Sequence, residues 1–442
     1  MQVNATTPLP RVEVSATGPD LTSRAGTALL SALADRLGLT GGLTAALRCH
    51  SRRVRHEPGR VVRDLAVMLA DGGDALCDLG ALRDQEVLFG PVASDATAYR
   101  CLERLDEAAL SRIRAARAAA RARAWGLAPA PRRLILDIDA TLLTAHSEKE
   151  GAAANYKGGF GFHPLLCFEA GSGEALAGVL RSGNAGANTA ADHVALLELA
   201  LAQLPEGVLN RGTLVRCDSA GATLDFLDAV VARGLAFSVG CDLTERVRAA
   251  CLAVPEDAWL AALDSEGDPR DGAWVAELPL ELAAWPAGTR AICRRERPHP
   301  GAQLSFSDAD GHRFQVLLTN QQGRRIARLE QVHRSRAAIE DAIRCAKASG
   351  LRNLPFRAYA MNAAWLELVL CACDLLAWTR RLLLHGTDLA ACEPKRLRYR
   401  LLHVAGRIVR HARSVRLRLP RSWPWAATLV AAFARLQALP SG

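Results

Sequence analysis

The chain has 442 residues, half of them hydrophobic and 23% charged, a balance that excludes a wholly disordered protein and allows roughly two to four structural units around a sizeable core. Its 55 Lys and Arg against 46 Asp and Glu leave a formal charge of +9, which points to an anionic partner, nucleic acid before a membrane surface.

Residues 1–127 read as a helical, DNA-binding N-terminal region. The first residues lack a basic stretch followed by an apolar core, so no secretory leader is expected and the protein is read as cytoplasmic and nucleoid-associated. Thr27 is placed to cap a first helix, Pro58 to open a second and Ser94 to cap a third. The next helix carries Arg112, Arg114, Arg117, Arg121 and Arg123, either a surface for DNA phosphates or an ordinary solvated face. GLAPAP, residues 126–131, is a linker.

Beyond the linker the pattern becomes α/β, and residues 132–240 are expected to form the first part of a catalytic core. The run LILDIDAT, residues 134–141, is a strand. Asp137 and Asp139, two residues apart, share one face at its end, and Thr141 follows. HPLLCFEA and EALAGVLRSGN supply two more strands. A helix, a strand ending at Asp218, another helix and the strand AFSVG follow. Three strands, helix, strand, helix, strand is the element order of a ribonuclease H-like mixed sheet, in which Asp139 and Asp218 lie at adjacent strand ends.

Residues 241–322 read as a β-rich insertion, and residues 323–385 as the second part of the core. In RRIARLEQVHRSRAAIEDAIRCAKASG, helical spacing sets His333, Arg336, Glu340 and Lys347 in one arc beside a stripe of Ile339, Ala342, Ile343 and Ala346. YAMNAAWLELVLCACDLLAW, interrupted by Glu367 and Asp374, reads as a core helix, not a membrane span. Twelve cysteines are scattered without a CxxC pair or zinc-finger spacing, so they read as small buried hydrophobes. Residues 386–442 form a basic helical C-terminal region: from Lys395 to Arg421 there are ten Lys or Arg and no acid. Lys395, Arg396, Arg398, Arg407 and Arg410 are candidate phosphate contacts on a helix there.

These motifs resemble the DDE transposases with a ribonuclease H-like catalytic domain and a β-rich insertion. The bacterial insertion-sequence branch carries a helical signature of Tyr, two residues, Arg, three residues, Glu, six residues, Lys. Arg336, Glu340 and Lys347 match it, and His333 stands where the Tyr is expected. The wider text, SDATAYRCLERL, HSEKEGAAANYKGGFGFHPLLCFEAGSGEALAGVLRSGN and RCDSAG, resembles the insertion-sequence 1380 family over roughly residues 20–430.

The resemblance implies a catalytic triad of Asp139, Asp218 and Glu340, at spacings of 79 and 122 residues, with Asp137 the alternative first acid. It implies two Mg²⁺ or Mn²⁺ ions, cut-and-paste transposition by in-line phosphoryl transfer at transposon inverted repeats and target DNA, and a homodimer on DNA. Arg181 and Asn184 would approach DNA from the Arg-x-Gly-Asn turn, with Gly183 in a backbone role. Trp274 or Trp285 would stack on a displaced base. A non-catalytic DNA-binding relic and a nuclease without strand transfer are the other readings.

Overall fold

The computed structural model of the chain describes residues 20–48, 55–129, 131, 133–145, 148–298, 301, 308–323, 325–411 and 414–440. The N-terminal helices are α1 (Ala28–Arg36), α2 (Leu39–Ala46), α3 (Pro58–Asp71), α4 (Asp95–Glu103) and α5 (Glu107–Gly126). Their starts follow local chemistry. Pro58 occupies the first turn of α3 while the Glu57 carboxylate accepts from the Gly59 and Arg60 amides at 2.9 and 2.8 Å. Ser94 and Asp106 cap α4 and α5 through the Thr97 and Ala109 amides. Thr27 does not cap α1: its own backbone is already helical, φ −61° and ψ −28°, and its hydroxyl donates to the buried Asp71 at 2.6 Å.

Strands β1 (Ile135–Ala140), β2 (Leu165–Glu169) and β3 (Ala175–Val179) form an antiparallel meander. Helix α6 (Ala190–Leu201) leads to β4 (Leu214–Cys217), and α7 (Leu224–Ala232) to β5 (Ala236–Cys241), both strands parallel to β1. The expected element order is therefore present. The next strands are β6 (Leu260–Leu263), β7 (Pro269–Leu278), β8 (Arg290–Glu296) and β9 (His312–Thr319). They do not make a separate sheet. β9 pairs antiparallel with β5, Thr319 opposite Ser238, so the sheet runs β6-β7-β8-β9-β5-β4-β1-β2-β3. Residues 302–307, expected to be part of a strand, lie outside the described residues.

One face of the sheet buries Leu136 and Ile138 with Leu196 and Leu197 of α6 and Phe226 and Leu227 of α7. The other face packs under helices α8 (Ile326–Arg334), α9 (Ala338–Ala346) and α10 (Tyr359–Trp378). Helices α1–α5 share a single apolar cluster with α9 and α10. The run Tyr359–Leu383 is long and apolar enough to cross a membrane, but 89% of its most apolar window is buried inside the protein, as expected of a core helix.

Helix α5 corrects one expectation outright. Arg117 and Arg121 face neither DNA nor solvent; both are fully buried. Arg121 donates to Glu174 at 2.8 Å, Gln203 at 2.7 Å and Asp374 at 2.5 Å, and Arg117 to Asp374 at 2.9 Å, to Glu367 and to the Leu176 carbonyl. Trp125 and Trp378 indoles both donate to Glu174. The acids that interrupt the apolar helix are thus the partners of arginines some 250 residues earlier.

The C-terminal region is corrected in part. Lys395, Arg396 and Arg398 lie in a helical stretch, residues 394–402, as expected, but beyond it β10 (Gly406–His411) and β11 (Ser414–Arg418) form an antiparallel hairpin where the basic helix was expected to continue, with Leu21–Thr22 pairing at its base. Ile408, Val409 and Val415 favour extended backbone, and VRLR, residues 415–418, alternates with a period of two. Helix α11 (Ala426–Ala438) follows. Near the hairpin base, Gly26 lets α1 approach residue 401 closely: a Cβ there would sit 1.8 Å from the Leu401 carbonyl oxygen. Gly26→Ala is expected to lower stability by about 1–3 kcal/mol, read as a shifted chemical-unfolding midpoint.

Candidate active site

Alternation along β1 turns Leu136 and Ile138 into the core and Asp137 and Asp139 toward the helices on the other face. The two acids then differ. Asp137 is 2% exposed and both its oxygens accept from Arg216, at 2.6 and 2.7 Å. Arg216 also donates to Ser335 Oγ at 2.6 Å and to the Val332 carbonyl, tying β1 and β4 to the end of α8. A carboxylate so engaged is a poorer cation ligand than one whose oxygens are open.

Asp139 lies at the open end. In register, Asp137 is opposite Arg216, so two residues further on Asp139 adjoins Asp218. Asp139 Oδ1 accepts from the Ala140 amide at 2.9 Å, and Oδ2 is 3.4 Å from Arg336 Nη1, a charge contact without hydrogen-bond geometry. Burial pushes its carboxyl up to about 6; Arg336 opposes this and the Asp218 carboxylate adds to it. Asp218 turns the chain out of β4 by accepting from the Ala220 amide at 3.1 Å.

The turn at Asp218 is held by a close backbone approach. A Cβ on Gly240 of β5 would meet the Ser219 nitrogen at 2.8 Å and the Asp218 carbonyl carbon at 3.2 Å. Gly240→Ala is therefore expected to displace Asp218 and cut any activity of this site by about 100-fold, with circular dichroism and the unfolding midpoint little changed.

Glu340 is exposed in the first turn of α9 and lines one cleft of about 540 Å³ with Asp218, Gly240, Asp242 and Arg336. Before it the expected helix tightens to a 3-10 turn at Ser335–Ala337, and Arg336, on that turn, reaches Asp139. Lys347, beyond α9, donates to the Leu142 carbonyl at 3.2 Å, so Arg336 and Lys347 both reach the exit of β1. His333 sits against Ser238 Oγ at 2.9 Å; burial, with Arg336, Arg216 and Arg294 nearby, pushes its pKa down to about 3. It is neutral at any working pH and supplies no positive charge to a phosphate, which narrows its expected DNA role to a hydrogen bond.

Among the described residues no three His, Cys, Asp or Glu side chains converge closely enough to hold a metal ion. Asp139 and Asp218 adjoin, and Glu340 belongs to the same cleft without joining them. The donor set still suits a hard cation: carboxylate oxygens, one of them raised in pKa by burial and then by the Asp218 charge.

Other candidates separate clearly. Arg181 is buried and bonded to the His163 and Gly186 carbonyls and to Asp192, so it braces the turn after β3. Asn184 is exposed in that turn, and Gly183 is needed there because a Cβ would lie 2.2 Å from the Ala153 carbonyl oxygen. Arg398 is buried against the Ala70 and Ala348 carbonyls and Ser349 Oγ, which gives it a structural role.

Lys395, Arg396, Arg407 and Arg410 are exposed. Trp274 is covered by Arg295 and Arg297, 5.1 and 5.4 Å from its ring, which disfavours it for base stacking. Trp285 lines a smaller cleft that shares Ser219, Cys241 and Asp242 with the acid site. Sequence reasoning missed Arg216, Asp242 and the buried Arg294–Glu330 pair at 2.6 Å on the cleft wall. Asp242 follows β5 as Asp218 follows β4, and that rule could have found it.

The family described as transposase DDE domain group 1 matches residues 5–441. No curated protein sequence matches the chain. Among solved structures, the cryo-EM structure of a piggyBac transposase synaptic complex with hairpin DNA is similar at 11% identity and a TM-score of 0.46, over 86% of this chain and 79% of that one.

Proposed function

Because the chain belongs to the DDE transposase family, domain group 1, we propose that it cleaves the ends of an insertion sequence and joins their 3′ ends to target DNA by in-line phosphoryl transfer at Asp139, Asp218 and Glu340. The observation that carries this reading is the parallel register of β1 and β4, which sets Asp139 beside Asp218, itself a lining residue of the cleft that Glu340 lines. Within the family, the Arg336, Glu340 and Lys347 signature and the RSGN and RCDSAG texts favour the insertion-sequence 1380 branch. The strand order β5-β4-β1-β2-β3, parallel on one side of β1 and antiparallel on the other, supports a ribonuclease H-like core over residues 132–240 and 323–385. On this reading residues 241–322 are the insertion, and residues 1–127 and 386–442 flank the core as DNA-binding regions of a homodimer, nucleoid-associated in the cytoplasm.

Asp139, Asp218 and Glu340 would hold the two divalent cations, Mg²⁺ or Mn²⁺, that in such chemistry activate the attacking water or 3′-hydroxyl and stabilise the leaving oxygen. Arg216 holds Asp137, and through it the end of β1, at a fixed distance from the Glu340 helix. Arg336 presents a fixed charge on the cleft wall for a phosphate, and Lys347 supports the β1 exit. Asn184, Lys395, Arg396, Arg407 and Arg410 extend the DNA contacts over the surface, and Trp285 is the better placed base-stacking candidate.

Cation binding must displace the proton that Asp139 holds up to about pH 6. Because this pKa is raised above the unfolded value, the protonated form stabilises the native state below about pH 4, and that contribution is lost as pH rises through 6. Mn²⁺ affinity runs the other way. It is expected to fall by about tenfold per pH unit below 6 and to level off above it, measured by Mn²⁺ titration.

The test of function is cleavage and strand transfer on a labelled duplex bearing the inverted repeats that flank the gene, with Mg²⁺. Wild type should cut and join while Glu340→Gln binds and does neither. Binding without cutting by wild type, under Mg²⁺ and Mn²⁺ alike, would leave the DNA-binding relic as the better account; cutting without joining would leave the nuclease.

A further inference from the structure

The hairpin β10–β11 has two unlike faces. Its register sets Arg407 opposite Arg418 and Val409 opposite Arg416 on one face, and Ile408 opposite Leu417 on the other. Ile408 is buried and Leu417 packs on the large N-terminal and C-terminal cluster, so that face holds the hairpin to the body of the protein. The opposite face carries three exposed arginines, Arg407, Arg416 and Arg418.

Among the described residues none of the three has an ion pair or a side-chain hydrogen bond. Like charges directly opposed across two strands destabilise a bare hairpin, and no acid occurs in the sequence from Lys395 to Arg421 to offset them. The arrangement therefore calls for an anionic partner from outside the chain.

The shape selects which. Leu21–Thr22 pairs only with Gly406 and Arg407, so the hairpin continues past its anchor as a two-stranded ribbon with no further strand beside it among the described residues. A two-stranded ribbon enters a duplex major groove about 12 Å wide, and arginines along it meet phosphates on the groove walls.

We propose that β10–β11 is a DNA-gripping ribbon, docking in the major groove with Arg407, Arg416 and Arg418 on the phosphates. The proposal rests on the transposase reading for its partner, and adds a site remote in sequence from the acid cluster. Arg410, on the other face, contributes from the exposed distal part of β10.

The test uses the full chain, fluorescence anisotropy of a labelled duplex, and salt from about 50 to about 200 mM. Arg407→Ala/Arg416→Ala/Arg418→Ala is expected to weaken binding at least about tenfold and to flatten the slope of log affinity against log salt by about 2.7, three phosphates at about 0.9 each. The corresponding triple Lys variant should keep the wild-type slope, which separates charge from folding. If wild type binds duplex and the Ala triple binds with unchanged affinity and slope, the ribbon proposal is overturned while the transposase reading stands. If wild type binds no duplex, both fall. Binding to vesicles rich in phosphatidylglycerol, lost in the Ala triple, with duplex binding unaffected, overturns the proposal in favour of a membrane surface.

Discussion

Arg121→Met should lower the unfolding free energy by about 3–5 kcal/mol, the largest stability effect expected anywhere in the chain. Arg121 is fully buried and is the shared donor to Glu174 and Asp374, both themselves without solvent contact. Methionine fills much of the volume but leaves two carboxylates facing each other. Burial already pushes Asp374 up, with Arg121 and Arg117 opposing it, and losing one of them drives it further toward the neutral acid. The loss should therefore be partly relieved at low pH, which urea melts across a pH series will read. Arg112→Ala, at an exposed position on the same helix, should change stability by no more than about 0.5 kcal/mol. Equal effects at the two positions would contradict the burial assignment.

Asp139→Asn is expected to reduce end cleavage by at least about 1,000-fold while leaving duplex affinity within about threefold of wild type, because it removes a charge at the reacting site and little else. Asp137→Asn should behave differently. It orphans the buried Arg216, so its main effect is a loss of stability of about 3 kcal/mol, with activity falling only as far as the fold does. The contrast between neighbouring acids separates a reacting carboxylate from a structural one. Should Asp137→Asn remain fully stable and lose all cleavage while Asp139→Asn stays active, the assignment of the first acid is reversed.

The parts of this protein that were legible in its sequence are those specified locally. The apolar run before Asp139 and the strand-helix alternation around Asp218 define the sheet with short-range patterns, and the register of β1 and β4 follows from parallel pairing. Glu340 was singled out by its helical offset from Arg336 and Lys347, and it lines the same cleft as Asp218.

What failed depended on partners distant in the chain. Arg117 and Arg121 have the same spacing whether a helix faces water or acids from residues 174, 367 and 374, and nothing within α5 distinguishes the two. Asp137 and Asp139 are equivalent by alternation, and only Arg216 on the neighbouring strand tells them apart. The basic C-terminal stretch admits both helical and extended periods, and its β-branched residues decided for the hairpin. Arg181 was read as a DNA contact from its place in the Arg-x-Gly-Asn turn and Arg398 from the basic run around it; here each satisfies buried backbone carbonyls.

The most direct measurement of the central claim is Mn²⁺ binding to the full chain followed by electron paramagnetic resonance, comparing wild type with Asp139→Asn, Asp218→Asn and Glu340→Gln. The account predicts bound Mn²⁺ in wild type at neutral pH, weakened at least about tenfold by each of the three substitutions and not by Asp242→Asn, which lines the same cleft but is outside the proposed triad. Wild-type binding that survives all three substitutions, or that Asp242→Asn alone abolishes, would contradict it.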